Sequence, residues 1–241
     1  MKNHLHLSCC LFALFVCILP AQAQVGTETQ RYQQAAGDRS VLFRGEQAAA
    51  YSFLANGNPY WEDAAFRRGN IVFEGNLYQD VLLNIDAHAQ RVLVHLSSGP
   101  FSVSLSPALT PSFTMDGRRF AGFGPGEALP EGFYEIFGEG PERIYKRVDK
   151  PLNSNFSNAN GDLIGYYDEH YRADVYRHFA LVRTYYFRDA DGQFSRIKGK
   201  GALLRKFPER KKELRRAINK AGLGPKEFDE CCELVLNLTS R

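Results

Sequence analysis

Long apolar runs are missing from this 241-residue chain beyond its first twenty residues. No later segment approaches the ~20 consecutive apolar residues that a membrane-spanning helix needs. Cysteine is scarce too. There are five, and Cys9, Cys10 and Cys17 precede Pro20, leaving Cys231 and Cys232 for the rest of the chain. Two adjacent cysteines make no disulfide framework, and neighbours on a helix point ~100° apart. They read as small apolar residues on a helix. Also missing are HExxH, any Cys/His ligand spacing, the GxSxG elbow and a phosphate loop with its Lys-Ser/Thr. Those absences remove the usual signatures of metal, nucleotide and serine-nucleophile chemistry. The sequence therefore points to no cofactor, no metal and no catalytic set.

What is present is ordinary for a globular protein: 44% apolar, 24% charged and 13% aromatic residues, with a formal net charge of +3. That composition excludes a disordered or fibrous chain. The N-terminus is more specific. Lys2 is followed by the apolar run Ser8 to Leu19, then by Pro20 and Ala21-Gln22-Ala23. This is the three-part pattern of a secretory signal peptide over residues 1–23, cut before Gln24. A retained anchor fits less well, because the run is short. A lipoprotein cut at Cys17 would fall inside the run. The expected compartment is outside the cytoplasm: the periplasm, its face of the outer membrane, or secretion. After cleavage no transmembrane segment is expected.

Residues 24–40 are polar and aperiodic, a flexible lead-in. Ser40 to Gly45 is expected to be a first strand. From Asn70 to Leu105, short runs rich in Val, Ile, Leu, Phe and Tyr alternate with turn residues every ~8–12 positions, the mark of an antiparallel meander. In Arg91 to Leu96, Val92, Val94 and Leu96 share one side. In Phe101 to Leu105, Phe101, Val103 and Leu105 do. Asp116-Gly117 is a strong hairpin turn. Phe133 to Phe137 and Arg143 to Arg147 form another pair. Lys150 to Gly161 reads as a polar loop, and residues 162–182 fit helix or strand. Asp189 to Gly192 closes a last hairpin. Leu214, Ala217, Ile218 and Ala221 then recur at helical spacing before Gly222, and a second helix follows Gly224-Pro225. No repeat of fixed period occurs. The expected fold is α+β: an antiparallel β-meander over residues 41–200, as a curved sheet or partly open barrel, with a helical cap over residues 201–241 packed on it.

Leu42-Phe43-Arg44-Gly45-Glu46, Gly57-Asn58-Pro59-Tyr60, Gly69 to Phe73, Tyr78 with Val81 to Asp86, and Gly132-Phe133-Tyr134-Glu135 stand in that order. Tyr185-Tyr186-Phe187, Leu203-Leu204 and a Lys/Arg-rich helix follow. In this succession the chain resembles a group of uncharacterised exported proteins of Bacteroidota-type bacteria. The resemblance spans roughly residues 41–238 and rests on structural motifs. It implies a Gram-negative envelope and nothing about substrate.

Two surface features stand out as candidate sites. Between Arg196 and Lys220 lie eleven Lys and Arg against Glu209 and Glu213. Arg210, Lys211, Arg215 and Arg216 on the first long helix are the candidate contacts for a polyanion or partner. Such a cluster attracts phosphate-rich polymers. But an exported chain seldom meets nucleic acid, and no nucleic-acid module appears. The expected partner is an envelope protein, an anionic glycan or a lipid headgroup, not nucleic acid. Paired aromatics supply the second feature, with Tyr60, Trp61, Tyr166 and Tyr185 as candidate exposed contacts. Asp86 and His88 beside His95 read as the polar residues a hairpin tip needs, and His178 and the triplet Asp168-Glu169-His170 as exposed polar residues. The functional expectation is a non-catalytic binding or scaffold module. The alternative is a carrier of a lipid or other apolar molecule, with Val92, Val94, Phe101 and Val103 lining a cavity. Oligomeric state is not legible.

Overall fold

A computed structural model describes residues 35–37, 40–53, 55–96, 98–156 and 175–240. The expected signal peptide, most of the lead-in and Tyr166 lie outside those residues. Of the unit formed by residues 1–40, the described part is a helical turn at 35–37 and Ser40; residues 41–241 make up a second unit.

The alternating segments of that second unit pair as read. Eleven strands form one antiparallel sheet in the order β1-β5-β4-β3-β2-β6-β7-β8-β9-β12-β13. They are β1 (Glu46–Gln47), β2 (Arg67–Phe73), β3 (Asn76–Asp86), β4 (Arg91–His95), β5 (Ser102–Leu105), β6 (Ser112–Met115), β7 (Arg118–Phe123), β8 (Gly132–Phe137), β9 (Arg143–Asp149), β12 (Val182–Arg188) and β13 (Phe194–Ile197). β10 (Leu152–Phe156) and β11 (Val175–Phe179) make a separate two-stranded ribbon. Three helices follow: α1 (Lys200–Leu204), α2 (Lys211–Lys220) and α3 (Phe228–Thr239). The architecture is α+β, an antiparallel sheet followed by C-terminal helices. It does not close into a barrel, because β1 and β13 remain its two edges.

The sheet nevertheless curls. The β3–β4 turn reaches β8 and β9, which lie several strands away in the order. Buried Gln90 joins them. Its Nε2 donates to the Ala87 carbonyl at 2.9 Å and the Val148 carbonyl at 2.8 Å, and its Oε1 accepts from the Phe133 amide at 3.2 Å. Lys150 N–H also donates to the Ala87 carbonyl. A buried amide with its hydrogen bonds filled costs little and fixes one geometry.

Strand alternation puts one residue in two on the inner side of this curl. Ile85, Val92 and Leu105 lie in register across β3, β4 and β5, and Ile71, Phe113 and Phe120 across β2, β6 and β7. Trp61 and Leu42 pack onto them in one buried cluster. The Phe113 and Phe120 rings stack at 4.6 Å, and Trp61 meets Phe120 edge-on at 5.4 Å. A second cluster joins Phe137, Ile144, Tyr185, Phe187 and Ile197 to Leu203, Leu214, Ile218, Phe228, Cys232 and Val235 of the helices. Each such fully buried side chain contributes about 1.5–3 kcal/mol.

Some expectations need correcting. Ser40 to Gly45 is no strand: Val41–Phe43 is a 3-10 turn, and pairing starts only at Glu46. Leu42 is driven into the core, and its neighbours take the turn geometry that allows it. Phe101 is 57% exposed and is not buried with Val103 and Leu105: it lies outside β5, which begins one residue later, at Ser102. Lys150 to Gly161 is not all loop, since Leu152–Phe156 pairs with Val175–Phe179. That pairing also settles residues 175–179 as strand. Ala221 is exposed at the helix end, whereas Leu214 and Ile218 are buried.

Candidate functional site

The inner row of the sheet is interrupted by charge. Phe120, Glu135, Lys146, Tyr185 and Ile197 oppose one another in register across β7, β8, β9, β12 and β13. Glu135 and Lys146 are 5% and 6% exposed, in the middle of an apolar face. Isolated ions there would be very costly, so each must be paired. Lys146 Nζ donates to Glu135 Oε2 at 3.0 Å and to Asp229 Oδ2 of α3 at 2.6 Å. Tyr185 Oη donates to the other Asp229 oxygen at 2.7 Å. Arg118 extends the chain, lying 3.7 Å from Glu135 and 2.7 Å from Glu62. The Lys146 ammonium also sits 5.5 Å from the centre of the Trp61 ring. Burial and the hydrogen bond to Asp229 push the Tyr185 phenol above its ordinary value, while the bond from Arg118 holds the Glu62 carboxyl below its own.

Trp61, Glu62, Arg118, Glu135, Lys146 and Asp229 line a cavity of about 330 Å³ between the sheet and α3, and Arg183 of β12 shares its lining. Its central carboxylates, Glu62, Glu135 and Asp229, are bridged by Arg118 and Lys146, so its chemistry is that of a joint: it clamps α3 to the sheet. Glu230 and Glu233 stand at the rim on α3, and burial together with Glu135 and its acidic neighbours raises the Glu233 carboxyl.

A larger groove, about 970 Å³, adjoins this cavity and has the opposite character. It lies where β13 leaves the sheet. Pairing between β12 and β13 ends at Tyr185 opposite Ile197, and the chain turns away through Lys198 and Gly199 into α1. β12 continues back through Thr184, Arg183 and Val182, still paired with β9 but, among the described residues, with no strand on its other side. The far wall is the α2–α3 connection, with Pro225, Lys226 and Phe228. Lys200 holds that wall by donating from Nζ to the Leu223 carbonyl.

Arg183, Arg196, Lys198 and Lys226 all line the groove. Among the described residues none of the four makes an ion pair; of the two carboxylates on the same lining, Asp229 is committed to Lys146 and Tyr185, and Glu230 leaves the cations in excess. Nearby, burial first and then the Arg183 charge hold the Lys150 ammonium below its usual range. Phe228, Tyr185 and Ile197 supply an apolar floor.

The residues singled out from sequence are distributed differently. Arg215 and Arg216 are exposed on α2 and Lys211 is half-buried. Arg210 is not free: it pairs with Glu213 at 2.7 Å and donates to the Leu238 carbonyl at 2.6 Å, tying the start of α2 to the end of α3. Trp61 and Tyr185 are 5% and 8% exposed, which overturns their assignment as exposed aromatic contacts. Tyr185 falls on the inward phase of β12, and Trp61, outside any strand, packs edge-on against Phe120. Tyr60 is half-buried. Asp86 accepts from the Tyr51 hydroxyl at 2.6 Å and from the His88 and Ala89 amides, a turn-building role. Among the described residues no group of three or more His, Cys, Asp or Glu side chains is placed to hold a metal ion. Asp168-Glu169-His170 lies outside the described residues.

Sequence reading missed the Glu135–Lys146–Asp229 joint and the groove. The joint had a signal. In Phe133-Tyr-Glu-Ile-Phe137 and Ile144-Tyr-Lys-Arg-Val148 a charge occupies the inward phase of an alternating strand, with opposite signs in adjacent strands. The chain matches no family model, no curated protein and no solved structure.

Proposed function

We propose that this is a non-catalytic binding module of a bacterial envelope that holds an anionic partner in the groove beside β12 and β13. The observation that carries this is the convergence of unpaired Arg183, Arg196, Lys198 and Lys226 on one concave surface with an apolar floor. Unpaired cations with low-dielectric walls focus an attractive field on an anion. A concave site with a few placed charges is the ordinary form of a ligand site. Export is supported by the N-terminal signal pattern and by the resemblance to exported proteins. A carrier has less support: Val92, Val94 and Val103 pack into the same cluster as Phe113 and Phe120, and Phe101 faces solvent.

The test is native mass spectrometry of the chain gently isolated from its host envelope, beside a variant carrying R183Q, K198Q and K226Q. An anionic mass or protein partner present on the first and absent from the second is the expected result. A bare parent chain, or a ligand that the variant retains, overturns the proposal.

A further inference from the structure

We infer that the occupant of the groove is an extended acidic peptide segment of a partner protein, which adds to the sheet as a short strand in the position β13 vacates. This rests on the reading of the groove as an anion site and specifies its ligand.

The first observation is the unfinished strand pairing. Val182, Arg183 and Thr184 are paired with Asp149, Val148 and Arg147 of β9. On the other side β13 has already left, so this stretch of β12 is an edge inside the sheet's own outline. Backbone N–H and C=O groups point alternately to the two sides of a strand, so part of this stretch offers its hydrogen-bonding groups to the groove. Sheet edges of this kind take up extended peptides through main-chain bonds.

The second observation is independent: at the open end of β12, Leu181 is 49% and Val182 43% exposed. Two adjacent large apolar side chains on a bare edge would invite unspecific pairing unless a partner covers them.

The third is charge. Arg183, Lys198 and Lys226 surround the vacant position, with Arg196 one step back on β13. A second copy of this chain presenting the same edge would bring like charges together. A neutral strand would leave the cations unmatched. A strand with Glu or Asp at alternate positions brings its carboxylates to the side of Arg183, Tyr185 and Ile197, while its intervening apolar side chains fall on the opposite side with Val182.

The test uses the chain from Gln24 onward and a fluorescein-labelled peptide of alternating Glu and Val, followed by anisotropy. Two control peptides carry Gln for every Glu, or proline at every second Val. Both controls are expected to bind at least about tenfold more weakly, the first for lack of charge and the second for lack of backbone donors. R183Q combined with K198Q is expected to lose a similar factor without a change in Tm. Amide exchange locates the site: bound peptide should slow exchange at 182–184 and leave 211–220 unchanged. Equal affinity for the proline peptide, or protection on α2 instead, overturns the inference. Failure of every peptide, with phosphatidylglycerol vesicles bound through Arg183 and Lys198, also overturns it while leaving the anion-binding function standing.

Discussion

Lys146 on β9 holds Asp229 on α3 at 2.6 Å, across 83 residues of sequence, while its ammonium also bonds the buried Glu135. The contact couples the helices to the sheet at the border between the cavity and the basic groove. Removing one partner strands the other. K146M should destabilise the protein by about 3–5 kcal/mol, the usual cost of an uncompensated buried charge. The double change E135L with K146M should recover most of that loss, because Asp229 is one-third exposed and keeps Tyr185, and Arg118 keeps Glu62. Urea unfolding of the three proteins checks this. A single variant as stable as the parent would mean the pair is not a joint.

Glycines 69 and 122 are expected to be intolerant for a reason unrelated to backbone freedom. A Cβ on Gly69 would run into the Thr114 carbonyl oxygen of β6, and one on Gly122 into the Thr110 carbonyl and the Phe133 ring. Gly69 also sits where the β2–β3 register shifts. G69A and G122A should each cost about 1–3 kcal/mol or more as strands are forced apart. G75A, with a φ of 77° and open space around it, should cost about 1 kcal/mol from backbone strain alone. The order of their unfolding midpoints is the measurement.

The buried thiols should be silent in the folded protein. Cys231 and Cys232 are both fully buried, and burial raises each thiol above its ordinary value. The thiolate is the reactive form, so at neutral pH little is present and less is reachable. Labelling by a chromogenic disulfide reagent should proceed at the rate of opening and speed up in K146M. Fast labelling of the parent would place these residues at a mobile surface.

Much of this fold is legible in residue order, and the limits are physical. Strands with one wet face announce themselves, as Arg91 to His95 does, and Asp116-Gly117 announces a turn because both residues take positive φ, 52° and 73°. Leu152–Phe156 and Val175–Phe179 escape notice because a ribbon carrying Asn153, Ser154, Asn155, Arg177 and His178 lacks the apolar alternation that marks a half-buried strand. The groove is less legible still. It arises because β13 stops pairing at Ile197 while β12 continues, and because Lys226 returns from a loop about thirty residues later. Neither the stopping point nor the return has a local sign. The dense Lys/Arg run drew attention to α2, whereas the convergent, unpaired cations lie on strand ends and a loop.

Glu233 carries a pH prediction. Burial and the nearby carboxylates Glu135, Glu230 and Asp229 raise its folded value. A group raised on folding stabilises the protein while protonated, and that contribution is lost as pH rises through the folded value. E233Q should therefore be slightly more stable than the parent at neutral pH and no different once the pH falls below the ordinary carboxylate range. Because Glu233 is only partly desolvated and the residue as a whole stays exposed, the gain is of the order of 0.5 kcal/mol and should shrink in high salt. Unfolding curves at two pH values and two ionic strengths give the sign; a destabilised variant at neutral pH would refute it.

The basic face of α2 separates into two kinds of residue that neutralisation should distinguish. Lys211, Arg215 and Arg216 make no ion pair among the described residues, so changing all three to Gln should shift stability by no more than about 0.5 kcal/mol each. Arg210 differs in its bonds rather than its charge. Its guanidinium grips both oxygens of Glu213 and, from Nη1, the Leu238 carbonyl, one of the last-turn acceptors of α3 that has no partner within the helix. R210Q should therefore lower Tm although only one charge is lost, whereas the triple variant should not. R210K tests the geometry, since a lysine keeps the charge but not the fork that spans two partners; it should behave like R210Q. The same variants sharpen the assignment of the groove. The triple variant removes three positive charges from the protein yet leaves Arg183, Arg196, Lys198 and Lys226 untouched, so it should bind the alternating Glu-Val peptide within about twofold of the parent once salt screens the long-range field. If the triple variant loses binding as fully as R183Q with K198Q does, the anion is held by α2, and the strand end beside β13 is only its neighbour.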